Sequence, residues 1–168
     1  MMKRKLAVLV ENSPGVLTHV SGLISRRGYN IESIAASSTE KQDMTRISLV
    51  VDVADEWQYE QVVSQLEKLV QVFKVLDMTG ADAMSREMAL IKIKSDAALR
   101  QEVISVVDIF RGRIIDFNNE CMVIEATNDS SKIDAFCKIM QKYGIIEIIR
   151  TGEICLSTKP GASAEEIY

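Results

Sequence analysis

The sequence predicts an α+β protein of two tandem βαββαβ units, each a four-stranded antiparallel sheet with both helices on one face. Three observations lead there. Over residues 1–78 the hydrophobic spacing runs strand, helix, strand, strand, helix, strand. The same order returns over residues 86–158. Between the two lies Thr79 to Ser85 (TGADAMS), a polar, small-residue stretch that reads as a linker.

In the first unit, Lys5 to Val10 is a short apolar run of strand type. Ser13 is placed to cap the next helix, with Pro14 in its first turn, where a missing N–H costs nothing. Val16, Val20, Leu23 and Ile24 recur at helical spacing, and Gly28 stands where a left-handed residue ends a helix. Asn30 to Ser38 is a second strand and Glu40 to Asp43 a polar turn. Arg46 to Val53 is a half-buried strand with Ile47, Leu49, Val51 and Val53 on one face. A helix from Asp55 carries Tyr59, Val62, Leu66, Leu69 and Val70 on its apolar side, with Trp57 packed near its start. Val72 to Met78 closes the unit.

In the repeat, Met88 to Lys94 is a strand, and a helix over 96–110 turns Val103, Val106, Val107 and Phe110 inward. Ile114 to Phe117 and Met122 to Ala126 flank a turn. A helix over 131–143 buries Ile133, Phe136, Cys137 and Met140, and Ile145 to Thr151 is the last strand. Residues 159–168 (KPGASAEEIY) read as a flexible tail. This is the split-βαβ, ferredoxin-like plan. Each unit, at about 75 residues, is near the size where a lone core is marginal. One face of each sheet also lacks helices and must be covered or stay wet. Both points predict a homodimer.

Composition narrows the function. Apolar residues are 47% of 168, net charge is −4 and aromatics are 5%, which opposes a nucleic-acid surface. No apolar run approaches the length that spans a bilayer, and the N-terminus lacks a signal-peptide pattern, so a cytoplasmic chain is expected. Cys121, Cys137 and Cys155 lack CxxC spacing and read as free thiols. With His19 as the single histidine, no zinc site is expected. No Ser/His/Asp, Cys/His, HExxH or phosphate-loop pattern nominates a catalyst.

The densest turn chemistry is E-N-S-P-G-V-L, residues 11–17. A helix N-terminus offers unpaired N–H groups and partial positive charge, which suit a carboxylate. Gly15 lets a ligand approach the backbone. Asn12 supplies amide donors and an acceptor. Asn30, opening the second strand, is expected beside the end of the first. With Val16, Leu17 and Ile31 as an apolar wall, these residues suit a free aliphatic amino acid. Asn-Ser-Pro-Gly is also ordinary turn and cap chemistry, and on these residues alone plain capping is favoured over binding. The matching junction of the repeat, Lys94 to Leu99 (KSDAAL), has a cap without Pro-Gly, so the units differ where a ligand would bind.

The residues also resemble a known family. LAVLVENSPGVLTHVSGLISRRGYNIESI, with its E-N-x-x-G-x-L turn and R-R-G-Y-N-I-E-S stretch (26–33), is similar to the opening of the small, regulatory subunits of acetohydroxyacid (acetolactate) synthase. L-x-K-L-V (66–70), R-E-M-A-L-I-K-I (86–93), I-F-R-G-R-I-I-D (109–116), K-I-D-A-F (132–136) and the R-T-G-E-I-C-L-S ending match too, so the resemblance covers about residues 2–158.

The resemblance implies an N-terminal ACT domain (1–78), the linker (79–85), a C-terminal ferredoxin-like domain (86–158) and the tail. It implies a non-catalytic chain that binds and activates the catalytic large subunit and confers feedback inhibition by valine or a related branched-chain amino acid. Thiamine diphosphate, Mg and FAD would belong to the large subunit, with no cofactor in this chain. The effector would sit between the ACT domains of two chains, on Asn12, Gly15, Val16, Leu17, Asn30 and Ile31. The rival reading is a free-standing ACT-type amino-acid sensor acting on another enzyme or regulator. An enzyme with a ferredoxin-like fold is opposed by the missing acid/base and metal constellations.

Overall fold

A computed structural model describes residues 1–80 and 82–159. They form two compact units, one of residues 1–84 with 153–159 and one of residues 85–152. Ala81 of the expected linker, and the expected tail from 160 onward, lie outside the described residues.

The first unit contains β1 (Met2–Glu11), α1 (Val16–Arg26), β2 (Asn30–Ser38), β3 (Met44–Val53), α2 (Glu56–Leu66) and β4 (Val72–Asp77). Its strands stand in the order β2-β3-β1-β4, every neighbouring pair antiparallel. Leu6, Val8 and Val10 join Val20, Ile24, Tyr59, Val62 and Leu66 in the core under the helices. Ala7 and Leu9 point the other way and are equally buried.

Two expectations about α2 are corrected. The helix ends at Leu66, so Val70 is 94% exposed rather than inward. The chain has to leave the helical path there, because Gln71 O must accept from Glu11 N, at 2.8 Å, to seat the next strand. Trp57 is 65% exposed and is not a packing residue. It follows the Asp55 cap, whose carboxylate accepts from Gln58 N at 2.9 Å, on the outer side of the first turn.

The second unit contains β5 (Ala83–Lys94) from Ser85 onward, α3 (Arg100–Ile109), β6 (Arg113–Phe117), β7 (Cys121–Asn128), α4 (Ser130–Met140) and β8 (Ile145–Arg150), in the sheet order β6-β7-β5-β8. Ile91, Ile93, Val103, Val107, Ile124, Ile133, Phe136 and Met140 form its core. The helix expected from Asp96 begins four residues later, because the Asp96 carboxylate accepts from Ala98 N at 2.9 Å and holds a separate turn. Glu87 is buried, and Arg150 answers it with two hydrogen bonds of 2.8 and 2.6 Å while a third, of 2.7 Å, reaches Asp134. Such a pair leaves no orphaned charge in the interior.

A last strand, β9 (Ile154–Ser157), was not expected from the sequence. The second unit is expected to run to residue 158; by contacts residues 153–159 group with the first unit, while β9 pairs with β5. Cys155 packs against Ala7 and Met78 on the helix-free side of the first sheet. Glu153, buried, pairs with Lys5, and its N–H donates to Ser33 Oγ at 2.8 Å. Arg46 Nη2 donates to Cys155 O at 2.7 Å, and Thr158 N to Asp82 O at 2.7 Å. Burial pushes the Cys155 thiol up, away from the reactive thiolate. A strand of four residues is too short to show a period. A chain ended at Gly152 should therefore uncover Ala7 and Met78 and lose about 3 kcal/mol of first-unit stability. Urea titration followed by Trp57 fluorescence and circular dichroism checks this.

Candidate functional site

The E-N-S-P-G-V-L turn leaves β1 at the end of the sheet where the 39–43 turn joins β2 to β3. Glu11 pairs with Met44 across the ladder. Asn12 works as a clamp: its N–H donates to Asp43 O at 2.8 Å and its Nδ2 to Gln42 O at 3.0 Å, while its Oδ1 accepts from Thr45 Oγ1 at 3.2 Å. Residues 40–43 carry only turn signals in the sequence, so nothing local identifies Gln42, Asp43 and Thr45 as the groups that orient Asn12.

The expected cap at Ser13 is corrected. Gly15 is the N-cap of α1, at φ 88 and ψ −11, and no side chain caps the helix. Ser13 Oγ instead donates to Glu11 Oε2 at 3.2 Å. Pro14 has a fixed φ, and a left-handed residue directly after it turns the chain sharply enough that helical geometry starts only at Val16. The first-turn amides have no intrahelical acceptor, and a Cβ built on Gly15 meets nothing within 4 Å. Val16 N donates to Ser13 O at 3.5 Å, so the open backbone donors of the turn are the Leu17 and Thr18 amides, beside empty space at Gly15. Val16 is buried in the core and offers only its backbone there, whereas Leu17, 46% exposed, offers an apolar side chain.

Asn30 and Ile31 are not beside this turn. Asn30 opposes Asp52 at the far end of β3, while Glu11 opposes Met44 at the near end. Eight residues of strand separate them, about 27 Å at the antiparallel rise. The expectation that Asn30 starts next to the end of β1 fails because β1 and β2, both antiparallel to β3, run the same way. The α1 crossover thus returns the chain to where β1 began. Asn30 Nδ2 donates to Asp52 Oδ2 at 2.8 Å, and Ile31 is half-buried against the core.

His19 is exposed on α1, and no group of three metal-ligating side chains occurs among the described residues. A groove of about 350 Å³ lies between α2 and β4, lined by Tyr59, Glu60, Val63 and Asp77 among others. Burial would raise the Asp77 carboxyl, but hydrogen bonds from Thr79 and Tyr59 and the charge of Arg4 hold it below its ordinary value. Burial and the neighbouring Asp77 push the Tyr59 hydroxyl up, so neither group is poised to move a proton near neutrality. No helix among the described residues is long and apolar enough to cross a membrane.

Because its Cβ position is open, Gly15→Ala should cost only the left-handed strain, about 1 kcal/mol, and leave the fold intact. Thermal unfolding beside an unchanged far-UV spectrum measures it.

Comparison with known proteins places these features in context. The family described as "AHAS small subunit-like ACT domain" matches residues 6–74, and "Small subunit of acetolactate synthase" matches residues 86–159. The acetolactate synthase small subunit of Mycobacterium leprae is 46% identical over 92% of this chain and 91% of its own. That of Mycolicibacterium smegmatis is 43% identical over 92% and 91%. The crystal structure of the acetolactate synthase small subunit from Thermotoga maritima superposes with a TM-score of 0.86 at 37% identity, over 94% of this chain and 98% of that one.

Proposed function

Since this chain belongs to the acetolactate synthase small-subunit family, we propose that it is the non-catalytic regulatory subunit of that enzyme. It binds the catalytic large subunit, raises its activity and confers feedback inhibition by valine or another branched-chain amino acid. Thiamine diphosphate, Mg and FAD belong to the large subunit in this reading, and the complex works in the cytoplasm.

The observation that carries the effector reading is the separation of Asn30 and Ile31 from the Gly15 turn. Within one chain the two groups stand at opposite ends of one sheet. β2 is an edge strand of that sheet, and its last four residues, Ala35 to Ser38, are small. Antiparallel pairing of β2 with the β2 of a second copy, around a two-fold axis, reverses one strand against the other. With the axis at Ile34, the partner subunit's Asn30 stands opposite Ser38, which pairs with Thr45, which pairs with Val10; that is three strand spacings, about 14 Å, from the Asn12 end of β1. Each dimer then holds two sites, each with the Asn12–Leu17 turn from one chain and Asn30 and Ile31 from the other. The effector carboxylate meets the first-turn amides of α1, and its side chain meets Leu17 and the partner subunit's Ile31.

Such a ligand controls activity only through a difference in affinity between two states of the complex. A coupling of about 1–3 kcal/mol corresponds to roughly 5- to 150-fold inhibition, and by reciprocity the inhibited complex binds the amino acid more tightly by the same factor.

Valine titrated calorimetrically into the full chain tests the shared site. Asn12→Ala and Asn30→Ala chains should each fail to bind. Co-expressed, they form mixed dimers in which one of the two sites escapes both substitutions, so roughly a quarter of the wild-type sites should return. No recovery would sink the two-chain site. In an assay with purified large subunit, Gly15→Asp should still stimulate but no longer confer inhibition, because its carboxylate occupies the effector's position. A wild-type chain that binds valine without stimulating the large subunit would instead identify a free-standing sensor.

A further inference from the structure

β6 is the outer strand of the second unit's sheet, and its free side pairs with no strand among the described residues. All five of its residues, R-I-I-D-F, are exposed, with Ile115 at 51%. Ile109, at the end of α3 just before this strand, is 76% exposed. An apolar edge of this kind is an aggregation hazard unless a strand adds to it. The neighbouring charges suggest which strand.

The ladder to β7 carries a bulge: Ile114 pairs with Ile124 and Asp116 with Val123, so Ile115 is the extra residue. An extra residue shifts side-chain alternation by one. Arg113 and Asp116, which an unbroken strand would send to opposite faces, therefore share the helix-free face. Neither forms an ion pair among the described residues.

We propose that β6 adds antiparallel to the β6 of a second copy of this chain, about a two-fold axis through the Ile114–Ile115 bulge. An antiparallel strand pair has its two-folds only through directly opposed positions. Taken as one position, the bulge provides such a centre. Arg113 then stands opposite the partner subunit's Asp116, and Asp116 opposite the partner subunit's Arg113. Two reciprocal opposite-charge pairs flank a central isoleucine cluster, which is the self-complementarity an isologous contact requires. The other edge strand, β8, cannot repeat this. Its Glu147 and Arg150 have the same spacing, but Arg150 is already committed to Glu87 and Asp134.

The contact is small, so covalent trapping reads it better than sizing. Full-length chain carrying Ile115→Cys is oxidised mildly and the disulfide-linked dimer is timed. The unmodified chain, with its three cysteines, is the blank. Val70→Cys, at a fully open position of the first unit, gives the rate of chance encounters. Ile115→Cys should cross-link about tenfold faster than Val70→Cys. Arg113→Glu in the same chain should abolish the advantage, and adding Asp116→Arg should restore it. Trapping no faster than at Val70, or trapping unaffected by charge reversal, would overturn the proposal. So would failure of the double reversal to recover the rate. None of these residues belongs to the effector turn, so the result stands apart from the outcome of the valine titrations.

Discussion

The first unit depends on burying β1 on both faces. Leu6, Val8 and Val10 go under the helices, and Ala7 and Leu9 go the other way, all essentially without exposure. A central strand buried on one side only would leave its second row of side chains in water, at a cost of about 1.5–3 kcal/mol for each large one. Helices α1 and α2 meet the first requirement. The second is met in part by a segment that arrives from the far end of the chain, held by the Lys5–Glu153 pair and the Arg46 hydrogen bond to the Cys155 carbonyl. The module that carries the candidate effector turn is thus incomplete until residues 153–159 return to it.

The same strand sets the turn. Once β1 ends at Glu11, the chain must reverse into α1 while staying attached to the start of β3. The Asn12 amide supplies the attachment and Gly15 the reversal. Capping and binding, which compete as readings of E-N-S-P-G, use different atoms. The Asn12 side chain is largely occupied in holding the 39–43 turn, whereas the Leu17 and Thr18 amides and the space at Gly15 are open. Structural and ligand roles can therefore coexist in one short stretch. In such a site the backbone supplies the donors, and the side chains mainly set its shape.

The two edge strands named in the proposed pairings differ in chemistry. The β2 edge ends in small residues that permit close approach. The β6 edge is apolar and flanked by unlike charges. In either proposed pairing the contact would be backbone to backbone, so specificity would fall to the few side chains that align only in one register. Under the proposed pairing, regulation would act through the interface, since a ligand that favours one packing of two copies shifts the population of the whole complex.

By itself the sequence determined the order of elements in both units, most of the core and the turn chemistry at residues 11–17, because these are written in local periodicity and in residue types with few allowed conformations. Val20, Ile24, Val62, Phe136 and Met140 are buried as their spacing demands. Local signals failed where distant groups decided the outcome. α2 stops early because Gln71 must reach Glu11. The strand at Ile154–Ser157 is too short for a period and is made by its neighbours. Asn30 opens a strand as read, yet stands a sheet's length from Asn12. Direction along a sheet is a property of topology: two strands on either side of a third run parallel whatever their residues. Only the tertiary structure could therefore decide that the residues selected for one site lie at two ends of it.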